Sequence, residues 1–153
     1  MTIENINKID KQILDILQND AKITIKEISQ LVGKSQTAVR SRLQRLEKDY
    51  IKKYVALIDC RELGYREMVM ASLRVNASYP LDDVKTKIEN MEKIKYAYVI
   101  TGEYPLFLMA KCMDHQDSMK LIQNLRDLPG IDEVKTEIVL DRIKEDHSII
   151  IPE

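Results

Sequence analysis

Tryptophan is absent from this chain, phenylalanine occurs once, and there are only two cysteines, two histidines and four glycines. Each scarcity excludes something. Cys60 and Cys112 are too few for a disulfide framework and read as small buried residues in a reduced, cytoplasmic setting. His115 and His147 stand in no metal-ligand or catalytic spacing, and no glycine-rich phosphate loop or nucleophile–base pair is present. No catalytic residue, metal or cofactor is therefore expected. The longest apolar run is a few residues, far short of a membrane span, so no membrane partner is expected. Met1–Lys8 lacks a basic start followed by an apolar core, which argues against a secretion signal.

Charge is plentiful at 32% of residues, and the net charge of −1 hides an asymmetry. Residues 1–60 carry 11 Lys and Arg against 8 Asp and Glu, whereas residues 61–153 carry 13 against 17. Between Lys34 and Lys53, seven cations face only Glu47 and Asp49. Such a local excess suits a polyanion, although a solvated helix face produces the same pattern.

The first third reads as three short helices. Asn7 can cap a helix whose apolar stripe is Ile9, Ile13, Leu14, Ile16 and Leu17. Thr24 and Glu27 form a capping box for a second helix, with Ile25, Ile28, Leu31 and Val32 as its inner face. Gly33 supplies the left-handed residue that stops it. Ser35 caps a third helix with Ala38, Val39, Leu43 and Leu46 inward. Gln36, Thr37, Arg40, Ser41 and Gln44 fall opposite. A short helix, a glycine turn and a second helix with a polar, basic outer face is a helix-turn-helix, whose second helix enters a DNA major groove. Gln36 can pair with adenine and Arg40 with guanine through bidentate bonds, while Thr37 and Ser41 can reach bases or phosphates. Lys34, Arg45 and Lys48 suit the phosphate backbone, and the free N–H groups beside Ser35 favour phosphate too. Arg42 borders the inner face, where a structural tie competes with DNA contact.

Lys53–Asp59 alternates like a strand, and Arg61–Arg66, around Gly64, reads as a hinge. Beyond it the pattern predicts strand 68–77, a helix from Pro80 with Leu81, Val84, Ile88 and Met91, and strands 94–101 and 106–113. A helix over 114–128 with Met119, Ile122 and Leu125 inward, and a last strand over 131–140, complete it. This βαββαβ order gives an α+β, ferredoxin-like, four-stranded antiparallel sheet with both helices on one face. Val69, Ala71, Leu73 and Val75 share one side of the first strand; Met70, Ser72 and Arg74 share the other, which the chain itself leaves bare. A half-apolar bare face predicts a homodimer. The expected organisation is a three-helix winged or helix-turn-helix domain over 1–52, a strand and hinge over 53–65, and a ferredoxin-like domain over 66–153.

The combination resembles the Lrp/AsnC (feast/famine) transcriptional regulators over residues 3–143. Ile6–Lys22 is similar to the family's opening helix, Ser35–Glu47 to its recognition helix, and Thr101–Tyr104 to the turn of its effector-sensing domain. Leu128–Ile131 followed by Lys135–Leu140 is similar to its last strand. The resemblance implies a sequence-specific regulator that binds double-stranded DNA. It also implies dimers that assemble into octamers or open helices, and an amino acid or related metabolite as effector, held by Gly102, Glu103, Tyr104 and Thr136. Two positions depart from the family pattern. Pro105 stands where an acidic residue is usual, which removes a charge and an N–H from the effector site. Tyr50 stands where glycine often follows the recognition helix.

Two rival readings remain. One is an architectural protein that coats DNA without an effector, which the basic patch would serve equally well. The other is an enzyme resembling siroheme decarboxylases, which share this two-part architecture; His115 and His147 are poorly placed for that.

Overall fold

The computed structural model describes residues 6–152. The chain forms two compact units. One takes the residues up to Leu57 together with those from Lys144 onward; the other is Ile58–Ile143.

The first unit holds α1 (Lys8–Asn19), α2 (Ile25–Val32) and α3 (Gln36–Asp49). Asn7 caps α1 in a reciprocal box with Asp10, and Thr24 caps α2 in one with Glu27. Ile13, Leu17, Ile28, Val32, Val39 and Leu46 form its core. Leu31 does not join them and is 65% exposed. At about 100° per residue, Ile25, Ile28 and Val32 cluster on one arc, and Leu31 falls on the far side of Ile28. No strand forms in this unit among the described residues, so the helix-turn-helix form holds without a wing.

The alternating stretch Lys53–Asp59 is not a strand. Its spacing suits one, but among the described residues it pairs in no β-ladder, which a strand needs for its N–H and C=O groups. Tyr54, Val55, Leu57 and Ile58 are left exposed. The chain from Lys144 onward, which the sequence pattern leaves at the end of the second domain, lies with the first unit. The Gln18 side chain donates to the Ile149 carbonyl (3.0 Å) and accepts from the Ile149 N–H (3.1 Å).

The second unit runs β1 (Glu67–Val75), α4 (Leu81–Glu89), β2 (Ile94–Val99), β3 (Leu106–Cys112), α5 (His115–Arg126) and β4 (Ile131–Ile138). The antiparallel sheet has the order β2-β3-β1-β4, the ferredoxin-like arrangement. Val69, Ala71, Leu73, Leu106, Leu108 and Ala110 pack under Val84, Ile88, Leu121, Ile122 and Leu125. Met119, expected inward, is exposed; Ser118 and Leu121 take the inner arc with Ile122 and Leu125. The other sheet face carries rows set by strand register. Tyr98, Phe107, Ser72 and Lys135 form one row, and Tyr96, Met109, Met70 and Glu137 the next. Tyr96 and Tyr98 stack at 6.4 Å between ring centroids.

Candidate nucleic-acid interface and ligand-sensing turn

Gly33, at φ +62°, ends α2 in the left-handed region, and the Lys34 N–H closes the turn onto the Ser29 carbonyl at 3.1 Å. The Ser35 hydroxyl accepts from the Ala38 N–H at 3.2 Å and starts α3. Buried Val39 and Leu46, with half-buried Ala38 and Leu43, fix one side of that helix. Gln36, Thr37, Arg40, Ser41 and Gln44 are exposed on the other side. Among the described residues, none of these five side chains, nor those of Lys34 and Lys48, has a hydrogen-bond or ion-pair partner. Their donors and acceptors are free for an external partner. Tyr50 closes α3 at φ −126°, an ordinary conformation, so the helix exits without the left-handed residue a glycine would supply.

Arg42 and Arg45 differ. Asp10 of α1 has no exposed surface, and its carboxylate accepts from Arg42 at 2.8 Å and from Arg45. A fully buried carboxylate must be paired, and two guanidiniums do so here. Arg42 is therefore a tie between α1 and α3. Arg45, 46% exposed, keeps part of its donor fork free while Asp10 holds the rest. The sequence pattern passes over Asp10 because it reads as the acidic residue of a helix first turn; the Asn7-x-x-Asp10 capping spacing is the signal it carries. Nearby, Glu47 accepts from the Tyr54 hydroxyl at 3.1 Å. Burial, aided by that bond, pushes the Tyr54 pKa up to about 12, so Tyr54 remains the donor.

The second site lies at the β2–β3 hairpin. The Ile100 N–H donates to the Pro105 carbonyl at 2.8 Å, and Gly102 turns the chain at φ +113°. Glu103 and Tyr104 meet side chains from two other strands. Arg74 of β1 donates to Glu103 at 3.0 Å and pairs with Glu133 of β4 at 2.8 Å. The Lys135 ammonium lies 3.9 Å from the centroid of the Tyr104 ring, and the hydrogen bond to Tyr104 raises the Lys135 pKa. Arg74 stands 6.0 Å from the same ring. Thr136 is elsewhere: it pairs in register with buried Ala71, on the helix-covered face, while Arg74, Glu133 and Lys135 line the bare one. Strand alternation places Arg74 on the bare face, but its meeting with Glu103 and Glu133 depends on cross-strand register.

Comparison with known proteins adds two domain matches. The AsnC-type helix-turn-helix domain matches residues 6–47, and the Lrp/AsnC ligand binding domain matches residues 68–149. The HTH-type transcriptional regulator FL11 of Pyrococcus horikoshii is 30% identical over 141 residues, covering 92% of this chain and 93% of that protein. The leucine-responsive regulatory protein of Escherichia coli K12 is 28% identical over 152 residues, covering 97% and 93%. Among solved structures, a Neisseria meningitidis transcriptional regulator in complex with L-Met superposes with a TM-score of 0.90. It is 23% identical and covers 95% of this chain and 97% of its own. Escherichia coli AsnC superposes at 0.85, with 20% identity and coverage of 92% and 95%. At these identities the structures speak for the fold.

Proposed function

The chain belongs to the Lrp/AsnC family of transcriptional regulators, and from that premise we propose how its two units divide the work. The unit of α1–α3 binds double-stranded DNA by laying α3 in the major groove. Gln36, Arg40 and Gln44 meet base edges, Thr37 and Ser41 meet bases or phosphates, and Lys34, Ser35 and Lys48 meet the backbone. Arg45 adds a phosphate contact with the donors that Asp10 leaves free. The observation that carries this reading is the row of exposed, unpartnered polar side chains on α3, beginning at a capped N-terminus.

The second unit pairs copies and senses a metabolite. Its bare face of Tyr96, Tyr98, Phe107, Met70 and Met109 takes a second copy, and dimers assemble further, to octamers. A dimer places two α3 helices about one turn of DNA apart, which predicts a pseudo-palindromic site. An amino acid binds at Gly102, Glu103 and Tyr104 and biases how dimers associate, and so how many half-sites are held together. The protein acts in the cytoplasm as a regulator and not as an enzyme.

The test is selection of bound sequences from a random DNA pool at near-physiological salt, followed by two variants. Arg40→Ala should lose roughly 1–3 kcal/mol on the selected site and little on random DNA. Lys48→Ala should weaken both alike and reduce the salt slope by about one ion. Equal losses on both DNAs for both variants would instead support a non-specific coat.

A further inference from the structure

The charged cluster beside the hairpin carries an inference that deepens the effector reading and rests on it. We propose that Arg74 fixes the carboxylate of the bound amino acid, and that Glu133 and Lys135 complete a receptor matched to a zwitterion.

The argument starts from charge. Around the Arg74 guanidinium lie one further cation, Lys135, and two carboxylates, Glu103 and Glu133, with the Tyr104 ring as a wall. Two positive and two negative groups balance. Arg74 is 39% exposed and Glu103 66%, so these pairs are weak and exchangeable. An anion alone would have to displace a glutamate and leave it unpaired; a cation alone would do the same to Arg74. A zwitterion exchanges pair for pair. Its carboxylate takes the Arg74 nitrogen that Glu103 holds while Glu133 keeps the other, and its ammonium meets the Glu103 carboxylate thus released. The charges balance before and after the exchange.

The planar guanidinium suits this exchange because its separate nitrogens can hold Glu133 and a second carboxylate at once in fixed directions, which a point-like ammonium does not. Glu133 gives the second acid. Position 105, next to the turn, holds proline and offers neither charge nor N–H. The acid comes instead from β4, brought within 2.8 Å of Arg74 by the β1–β4 register that sets Arg74 opposite Glu133. The side chain of the ligand is left to the Tyr104 ring.

Equilibrium dialysis of the full chain against each of the twenty free L-amino acids tests this. The N-acetyl and methyl-ester forms of whichever one binds are then compared with it. Each blocked form should bind at least about tenfold more weakly. Arg74→Gln should lose affinity by roughly the same factor, and Arg74→Lys should not restore it. Unchanged melting and unchanged binding to the selected DNA site would show that the variants fold. If the wild-type chain binds an amino acid and Arg74→Gln binds it equally, or if a blocked form binds equally, this assignment fails while the effector reading stands. If the wild-type chain binds none of the twenty, both fall together.

Discussion

Asp10 has no exposed surface, and everything around it follows from that. Its N–H donates to the Asn7 side chain at 3.1 Å, and its carboxylate receives Arg42 and Arg45 across 32 and 35 residues of sequence. One side chain thus caps α1, pins α3 against it, and decides which cations near the recognition helix are committed. Breaking a fully buried ion pair costs roughly 3–5 kcal/mol. Here the orphaned partners are 30% and 46% exposed and can turn to water, so Asp10→Ala should cost less than that range. Urea unfolding followed by circular dichroism measures it, and an unchanged midpoint would sink the role. The structural side of Arg42 is legible in the sequence because Arg42 borders the Ala38–Leu46 stripe. Its partner is not, since nothing local couples residue 42 to residue 10. Arg45 reads as a phosphate contact for the same reason: its charge is visible and its commitment is not.

Helix ends were the most legible elements. Asn7, Thr24, Gly33 and Ser35 all stand where local hydrogen-bond chemistry demands. The Thr24 box also has a pH signature. The Thr24 hydroxyl, and then its N–H, donate to Glu27 at 2.6 and 2.8 Å and hold that carboxyl below the ordinary glutamate range. A folded-state pKa below the unfolded value adds stability above the ordinary glutamate pKa of about 4.3, and that stability is lost as pH falls through the folded value. Thr24→Val should lower stability at neutral pH by roughly 0.5–2 kcal/mol and flatten the acid limb. Denaturation midpoints from pH 7 to pH 3 for both proteins check this; parallel curves would refute it. Elements whose identity depends on distant partners were less legible. Lys53–Asp59 has a strand's alternation but no pairing strand among the described residues, and Leu31 and Met119 have the right chemistry one step off the buried arc. Gly130 shows the opposite case, a local sign with a tertiary reason. It sits at φ +87°, and a Cβ built there would overlap the Tyr79 ring. Gly130→Ala should therefore destabilise by more than the roughly 1 kcal/mol that backbone strain alone accounts for, read as a drop in the thermal midpoint.

For the molecule as a whole, the βαββαβ order was enough to give sheet order and the covered face, because right-handed crossovers leave one arrangement. The bare face follows from the same rule, and its aromatic and methionine rows predict where copies meet. Phe107→Asp, in the row of Tyr98 and Ser72, should shift the chain toward monomer in sedimentation experiments while leaving its own core intact; an unchanged mass would place the contact elsewhere. The membership of the last residues was not legible, since Ile149 meets Gln18 through backbone groups that any sequence possesses. That meeting has a consequence during synthesis. The sheet-bearing unit is an insertion within the DNA-reading one, whose two halves are separated in translation by 131 residues between Gln18 and Ile149. At roughly 5–20 residues per second on the ribosome, the three helices emerge on the order of ten seconds before the segment whose Ile149 bonds to Gln18 of the first of them. The reading head is thus begun before the insertion is made and completed only after it.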